Sequence, residues 1–348
     1  MSMNAKKNVS MLLVSVLLMC CALIIVRQAK TEEVPGTKTK AASEYSSGPL
    51  LFDSPKVRDN NDNQERQISF QLLWSKIVLP VRVNDSRELS IILDTGMPSQ
   101  GLLLFDRDLA DELQLSGTER SRIHGAGTGQ VSYAIKVESA KLSVSGVDFE
   151  NQDVRILQND TMRGTPNDGV IGSTLFGSHV VKIDYDQNII TLLDPTAFDA
   201  DPTWEVVNLT FNENNIPFLE AFVSIEGDEE IDVVLYIDLA SSEALELLVK
   251  PEMKFTLPDN LPSKYIGKGL DGHIVGQYGR IASLKIGSFV LNNVPTAFPK
   301  SDVRSRQQEA DGILCNDALR RFNLIFDYSR KKLYIKPNSH FSEPFDHN

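Results

Sequence analysis

The chain has few of the residues from which disulfide frameworks and metal sites are built. Only three cysteines occur in 348 residues, at Cys20, Cys21 and Cys315. Because the first two lie in an apolar N-terminal stretch, the folded part has no pair of cysteines for a disulfide framework. The histidines and cysteines show neither HxxxH nor CxxC spacing. The sequence therefore predicts no metal site, and it implies no cofactor.

Basic residues are also scarce and dispersed. Lysine and arginine total 35 against 47 aspartates and glutamates, which gives a formal net charge of -12. Phosphate binding needs clustered lysine and arginine, and the sequence has no such cluster, so we expect no nucleic-acid partner. With 41% hydrophobic and 24% charged residues, the chain is long enough to bury a core in one large domain or two smaller ones.

A long hydrophobic run lies near the N-terminus. Lys6 and Lys7 precede "MLLVSVLLMCCALIIV" (11–26), and no charged residue occurs in residues 8–26. A stretch of this length is sufficient to cross a lipid bilayer. We therefore predict that residues 1–26 form an uncleaved, single-pass membrane anchor.

Two further features accompany the predicted anchor. A cleaved signal peptide ending near "CCA" (20–22) is the alternative interpretation of the hydrophobic run. Basic residues flank the run on both sides, so its orientation follows the usual default, with the body outside the cytoplasm in a periplasmic or other extracytoplasmic location. Residues 27–66 contain few large apolar side chains, which predicts a flexible linker between anchor and body.

The chain from residue 67 onward has the pattern of a mainly β protein. Short alternating or fully apolar runs, such as "IVLPVRV" (77–83), are followed by turn-forming residues. One amphipathic helix is predicted at 105–115, because Leu109 and Leu113 share a face and acidic residues occupy its first turn.

An internal repeat indicates the architecture. The segment "IILDTGMPSQGLLL" corresponds to "VLYIDLASSEALELL", and this alignment matches Asp94 with Asp238. Later, "DGVIGSTLFGSHVVKIDYDQNIITLL", which begins at Asp168, corresponds to "DGILCNDALRRFNLIFDYSRKKLYIK", which begins at Asp311. Asp168 follows Asp94 by 74 positions, and Asp311 follows Asp238 by 73. Two unrelated stretches would not keep this register.

The repeat predicts two copies of one β-rich unit. The first lobe is expected at 67–197 and the second at 205–337, joined by a connection at 198–204. Residues 338–348 are then a C-terminal tail.

The repeated unit resembles a known enzyme family. A strand that ends in Asp-Thr-Gly, followed by Asp-Gly-Val-Ile-Gly, a short helix and an apolar strand ending in Asp-Tyr, resembles the aspartic peptidases of the retropepsin type. The duplication is similar to the single-chain pepsin-like arrangement. The resemblance covers residues 67–337 and implies an all-β, two-lobed acid protease fold with a central cleft and few short helices.

The resemblance also implies a pair of catalytic carboxyl groups, Asp94 and Asp238. Peptide hydrolysis without a metal needs a water held between two carboxyls, one ionised to accept its proton and one protonated to polarise the scissile carbonyl. Two adjacent carboxyls cannot both ionise easily, so their pKa values separate and one site provides both acid and base. Thr95 and Gly96 are then the scaffold of the first active-site loop.

The second copy departs from this pattern. Asp238 is followed by Leu239 and Ala240, where the family pattern has Thr and Gly. Leucine has no hydroxyl with which to brace the loop, and alanine allows fewer backbone conformations than glycine. An aspartate after a strand is also a common turn residue. The matched register of the two copies nevertheless favours the paired interpretation.

Glycine-rich segments between each aspartate and its Asp-Gly motif predict two substrate flaps. They are "RIHGAGTGQVSY" (122–133) and "GKGLDGHIVGQYG" (267–279), in which glycines allow a hairpin to close over an extended peptide. Gly172 is expected to permit close backbone approach, and Cys315, its counterpart, to be a small buried thiol. The glycines expected at the flaps are Gly125, Gly127, Gly129, Gly269 and Gly272.

Three functional hypotheses follow from the sequence. The first is a membrane-tethered aspartic endopeptidase, a monomer that uses Asp94 and Asp238 to cut an extended protein or peptide substrate. In the second, the altered loop at Asp238 leaves a pseudopeptidase that binds peptides in the same cleft without cutting them. In the third, two copies of Asp94 form the catalytic pair in a homodimer, an arrangement that the covalently attached second lobe disfavours.

Overall fold

The computed structural model describes residues 66–97, 101–129, 131–227, 229–304 and 309–345. The anchor predicted at the N-terminus and the predicted linker, except for its last residue, lie outside these ranges. Within the described ranges, no helix combines the length and the hydrophobicity needed to cross a membrane.

The first half of the described chain consists mainly of strands. They are β1 (Arg66–Ser69), β2 (Gln71–Leu73), β3 (Lys76–Val83), β4 (Leu89–Leu93), β5 (Leu102–Leu104), β6 (Glu119–Ile123), β7 (Ser132–Val144), β8 (Val147–Leu157), β9 (Gly169–Ile171), β10 (Val180–Asp184) and β11 (Ile189–Leu193). Two short helices accompany them, α1 (Asp108–Glu112) and α2 (Ser173–Phe176).

The second half repeats this composition. Its strands are β12 (Glu205–Asn208), β13 (Thr210–Phe211), β14 (Pro217–Ser224), β15 (Ile231–Asp238), β16 (Leu245–Leu247), β17 (Ser263–Gly269), β18 (Gly272–Ile286), β19 (Phe289–Pro299), β20 (Gly312–Cys315), β21 (Phe322–Asp327) and β22 (Lys332–Pro337). A 3₁₀ helix spans Ser301–Arg304, and α3 spans Asn316–Leu319.

Two eight-stranded sheets have the same topology, which confirms the all-β, duplicated fold. The first has the order β2-β3-β4-β9-β5-β8-β7-β6, and the second has the order β13-β14-β15-β20-β16-β19-β18-β17. In both, the central strand pairs are parallel, β4 with β9 and β15 with β20. Each sheet also has an extra pairing, β3–β7 or β14–β18, that curls it into a barrel-like lobe.

A third sheet joins the two halves of the chain. Its six strands follow the order β1-β11-β10-β21-β22-β12, so three strands come from each half. The junction is the antiparallel pair β10–β21, in which Ile183 lies opposite Leu324. Both residues are fully buried and belong to the main hydrophobic core, which draws on all three sheets. Because backbone hydrogen bonds and a common core cross this junction, the two lobes are held in a fixed relation.

The predicted helix at 105–115 is shorter than expected. Helix α1 covers only Asp108–Glu112, although Leu109 is buried as the amphipathic pattern requires. Phe105 still belongs to the sheet region, because its N–H donates to the carbonyl of Asp168 at 2.8 Å. At the other end, Gln114 adopts a left-handed conformation with φ of 53°, which ends the helix.

Close packing behind the first aspartate loop confirms the prediction for Gly172. A Cβ at this position would lie 2.6 Å from the carbonyl oxygen of Met97 and 2.8 Å from that of Asp94. No side chain fits there, so glycine is required for the loop to lie on the strand behind it. Cys315, at the corresponding position of the second lobe, is a fully buried thiol, as predicted.

Candidate active site

Equivalent strands deliver the two aspartates to the same region. Strand β4 has five buried residues, and its ladder continues to Asp94, whose N–H donates to the carbonyl of Ile171 at 2.9 Å. Strand β15 ends at Asp238, which lies opposite Cys315 in the parallel pair with β20. Each carboxyl group is therefore fixed at the end of a central strand, where the backbone has little freedom.

The two carboxyl groups are close neighbours. The point that a Cβ on Gly96 would occupy lies 3.1 Å from Oδ1 of Asp94 and 4.0 Å from Cγ of Asp238. Both aspartates line one cavity of about 520 Å³ and are partly buried. Their separation is therefore short enough for strong electrostatic coupling.

The two aspartate loops have the same internal hydrogen bonds. The N–H of Gly96 donates to Oδ1 of Asp94 at 2.7 Å, and the N–H of Ala240 donates to Oδ1 of Asp238 at 2.9 Å. In each loop, the N–H three residues after the aspartate also donates to its carbonyl oxygen at 3.4 Å. Gly96 is not among the residues with positive φ, so the backbone conformation of the loop does not require glycine. The expected conformational penalty of Ala240 therefore does not arise.

Thr95 ties the two loops together. Its buried hydroxyl donates to the carbonyl of Ile237 at 2.7 Å and accepts from the N–H of Leu239 at 3.2 Å. One side chain of the first lobe thus satisfies two backbone groups on either side of Asp238. Leu239 has no hydroxyl with which to return this interaction, and its side chain is fully buried in the core instead. The brace therefore comes from one lobe only.

Asp94 has a strongly altered acidity. Burial raises the pKa of Asp94 to about 7, and the negative charge of Asp238 acts in the same direction. Hydrogen bonds from the backbone of Gly96 and Met97, and the positive charge of Lys76, act in the opposite direction. A carboxyl that keeps its proton to near-neutral pH beside a second carboxyl matches the requirement for an acid and a base in one site.

The walls of the cavity differ between the lobes. The first lobe contributes apolar side chains, including Ile92, Met97, Leu103, Phe105 and Val170, alongside the basic side chains of Lys76, Arg122 and Arg155. The second lobe contributes polar ones, including Tyr236, Ser241, Ser242, Glu243 and Glu246.

One exchange between equivalent strands accounts for much of this difference. Leu103 lies opposite Val170 in the first sheet, and Glu246 lies opposite Ile313 in the second. Leu103 and Glu246 are therefore equivalent positions of the duplicated fold. Sequence analysis missed both, although the alignment of "GLLL" with "ALELL" contained the signal.

The predicted flaps form hairpins, and their tips bind each other. β6 and β7 form the first hairpin, and β17 and β18 form the second. Asp271, at the tip of the second, accepts hydrogen bonds from Gly125 N–H at 3.1 Å and Ser132 N–H at 3.2 Å through its carboxylate. Its backbone pairs with the first hairpin as well, donating to the carbonyl of Ala126 at 3.0 Å. The glycine-rich pattern of this segment did not predict a role for Asp271.

The flap glycines allow this interlocking. A Cβ on any of Gly125, Gly127, Gly129 or Gly269 would overlap atoms of the opposite hairpin. Gly127 and Gly272 also adopt φ values of 127° and 123°, which favour glycine. The structure therefore places the predicted flap glycines at the contact between the two hairpins. Their contact with a substrate remains a prediction.

Comparison with known families agrees with the geometry of the first lobe. Residues 79–175 match the family model described as "Aspartyl protease". This range contains Asp94, the first flap hairpin and Gly172. No curated protein sequence matches the chain. The match supports a peptidase of the aspartyl class, and the equivalent topology of the two lobes indicates a duplicated protease fold.

The bridging hydroxyl of Thr95 predicts a stability effect. Thr95→Val keeps the shape of the side chain but leaves the Ile237 carbonyl and the Leu239 N–H without their buried partner. We expect a loss of about 1–3 kcal/mol in the free energy of unfolding, measured by urea denaturation. Thr95→Ser, which keeps the hydroxyl, should recover most of it. Equal stability of the valine and serine variants would contradict the bridge.

The raised pKa of Asp94 predicts a pH-dependent cost to stability. The folded-state pKa of about 7 lies above the ordinary value of 3.8, so the ionisation of Asp94 costs the folded state stability as the pH rises from about 4 to 7. Asp94→Asn, which cannot ionise, should be more stable than the wild type at pH 8 by up to about 4 kcal/mol. At pH 3.5 the two should melt alike. If the difference in melting temperature between the two proteins stayed the same across this pH range, the raised pKa of Asp94 would be ruled out.

The carboxylate of Asp271 predicts a change in flap dynamics. Asp271→Ala removes the acceptor of the Gly125 and Ser132 N–H groups, so the hairpin tips should separate more often. Amide hydrogen exchange at these two residues should accelerate about tenfold. Asp302→Ala, in the neighbouring 3₁₀ helix, is the control and should leave the amide exchange at these two residues unchanged. Unaltered exchange in the Asp271 variant would show that the carboxylate does not hold the tips.

Proposed function

We propose that the protein is an aspartic endopeptidase that hydrolyses peptide bonds with Asp94 and Asp238. The observation that carries the proposal is the pair of strand-end carboxyls, held by matching hydrogen bonds and facing one cavity. The family match over the first lobe supports the same class of chemistry. The proposal adds the identity of the catalytic pair and the kind of bond that it breaks.

The catalytic step uses one proton shared by the two carboxyls. The ionised carboxyl accepts a proton from a water molecule while the water oxygen attacks the scissile carbonyl carbon. The protonated carboxyl gives its proton to the carbonyl oxygen, which produces a neutral tetrahedral species. When the C–N bond breaks, the carboxyl that took the water proton gives it to the leaving nitrogen, and a hydroxyl of the tetrahedral species returns a proton to the other carboxyl as the new carbonyl forms, so the pair again holds one proton.

The arrangement of the loops suits this role. One oxygen of each carboxyl is already held by a backbone N–H, from Gly96 or Ala240. Among the residues that the structure describes, no protein group donates to the second oxygen of either carboxyl. That oxygen is the one available to water and substrate. Because the anchoring donors belong to the backbone, the carboxyls keep their orientation throughout the reaction.

The substrate is an extended protein or peptide segment that enters when the flaps separate. The cavity offers apolar side chains from the first lobe and polar ones from the second to the two sides of the scissile bond. Closing flaps would exclude bulk water and strengthen the electrostatic interactions of the carboxyl pair.

The geometry of the two aspartate loops bears on the pseudopeptidase and homodimer hypotheses. A pseudopeptidase is favoured by the missing hydroxyl at Leu239, but the second loop still holds Asp238 as the first holds Asp94. A homodimeric pair of Asp94 residues is unnecessary, because a single chain brings two carboxyls together. We therefore favour a catalytically active monomer.

Membrane tethering completes the proposal. It rests on the uncharged stretch of residues 8–26 alone. In that arrangement the linker of residues 27–66 separates the peptidase from the bilayer, on the extracytoplasmic side.

Cleavage of a diverse peptide pool by the full chain in detergent tests the proposal. The wild type should cut internal peptide bonds at acidic to neutral pH, and Asp94→Asn and Asp238→Asn should each lower the rate at least about 10³-fold. Asp85→Asn, in an exposed turn, is the matched control and should retain full activity.

Each possible result discriminates between the hypotheses. Cleavage that survives in Asp238→Asn and vanishes in Asp94→Asn would overturn the intramolecular pair in favour of a homodimer. A folded wild type that cuts no peptide at any pH, yet binds extended peptides, would identify a pseudopeptidase.

A further inference from the structure

A lysine lies in the cavity beside the two aspartates. Lys76 is the first residue of β3 and shares a strand face with Val78, which packs in the cluster of apolar residues behind the cavity wall. Its side chain lines the same cavity as Asp94 and Asp238 and is largely withdrawn from solvent. A cation in this position is unexpected at the start of the otherwise apolar run "IVLPV".

The backbone at Lys76 is fixed to the opposite lobe. The preceding residues Trp74 and Ser75 form a tight turn with φ values of 49° and 60°. The hydroxyl of Ser75 donates to Oδ1 of Asp317 at 3.2 Å, and the side-chain amide of Asn316 donates to the carbonyl of Ser75. The turn therefore spans the junction of the lobes and sets the position of Lys76 relative to the carboxyl pair.

The ammonium group acts on the carboxyls without binding either of them directly. Among the described residues, no carboxylate oxygen lies within 4.0 Å of Nζ of Lys76. Burial lowers the pKa of Lys76, and the charges of Asp238 and Asp94 oppose this effect, so the ammonium group and the two carboxyls interact. Both carboxyls therefore stay accessible to substrate while they experience a nearby positive charge.

The duplicated fold shows that this lysine is particular to one lobe. Leu79 lies opposite Ile91 in the first sheet, and Leu219 lies opposite Leu235 in the second. Lys76 lies three residues before Leu79, and Ile216 lies three residues before Leu219, so Ile216 is the equivalent of Lys76. Ile216 is buried in an apolar cluster, so the fold accepts an aliphatic side chain at this position.

We infer that Lys76 is a positioning residue whose ammonium group sets the pH range in which the Asp94–Asp238 pair holds a single proton and is active. This inference rests on the proposed function and extends it to the regulation of the same site.

The direction of the effect follows from electrostatics. A cation near two carboxyls favours their ionised forms, so it lowers the pKa of both proton-loss steps of the pair. The one-proton form, which is the active one, is thereby shifted to lower pH. Removing the cation should move both the acidic and the alkaline limb of the activity profile upward.

Other charged and titratable groups also face this site and must be held constant. Tyr328 lies near Asp94, and burial raises the pKa of its hydroxyl. Asp317 contacts the turn that precedes Lys76. Around the cavity wall lie Arg122, His124, Arg155, Glu243, Glu246 and Lys268.

The test compares pH–activity profiles of the full chain, with Lys76→Ile as the main variant, because the second lobe already uses isoleucine there. Both limbs should move upward by about one pH unit. Lys76→Arg, which keeps the charge, should retain the wild-type limbs. Lys182→Met, in the six-stranded sheet, removes a charge of the same sign away from the cavity and should leave the profile unchanged.

A profile of Lys76→Ile that superimposes on the wild-type profile would overturn the inference, even if peptide cleavage itself is established. So would limbs that shift equally in the isoleucine and arginine variants, because the shift would then report packing and not charge.

A second readout separates this inference from the proposed function. The melting temperature of a protein with Asp94 can be compared with that of its Asp94→Asn derivative at each pH. The change of this difference with pH reports the titration of Asp94, and it needs no peptide cleavage. This titration should move to higher pH in the Lys76→Ile background. Such a shift in a protein that cuts no peptide would support the inferred role of Lys76 and refute the proposed peptidase activity. An unmoved titration would refute Lys76 whatever the activity.

Discussion

The centre of this protein depends on holding two carboxyl groups close enough for their charges to interact strongly. Like charges at such a distance repel, so the arrangement persists only because rigid elements enforce it. Asp94 and Asp238 each end a central strand of an eight-stranded sheet, and each is held by a backbone N–H of its own loop. The six-stranded sheet fixes one lobe against the other, and Thr95 bridges the two loops directly. Much of the fold thus serves a contact that would not form unaided.

The site combines forces that act in opposite directions on the same proton. Burial and Asp238 raise the pKa of Asp94, whereas backbone donors and the charge of Lys76 act to lower it. Burial by itself would keep the carboxyl protonated, and an exposed carboxyl would be ionised well below neutral pH. The balance leaves the pKa of Asp94 at about 7. The two lobes surround this pair with different side chains, including Leu103 in the first lobe and Glu246 at the equivalent position of the second.

Duplication allowed the two lobes to diverge at equivalent positions. Thr95 corresponds to Leu239, Leu103 to Glu246, and Lys76 to Ile216. In each case one lobe has an aliphatic side chain and the other a polar or charged one: Thr95 bridges the two aspartate loops, and Glu246 and Lys76 line the cavity. The flap hairpins diverge in the same way, because Asp271 of the second accepts hydrogen bonds from the first. A pair of identical lobes could not supply a brace, a lysine and an acidic flap tip that each come from one lobe.

The sequence alone determined the β class, the duplication, the strand-end aspartates, the flap hairpins and the need for glycine at position 172. These features depend on local periodicity, turn chemistry and spacing, which are written along the chain. Tertiary structure alone decided that helix α1 ends at Glu112, that Ala240 serves as well as Gly96, and that Lys76 and Glu246 face the cleft. Each of these depends on residues far apart in sequence meeting in space. A lysine at the start of a strand becomes a neighbour of two carboxyls only when two lobes close around a common cavity.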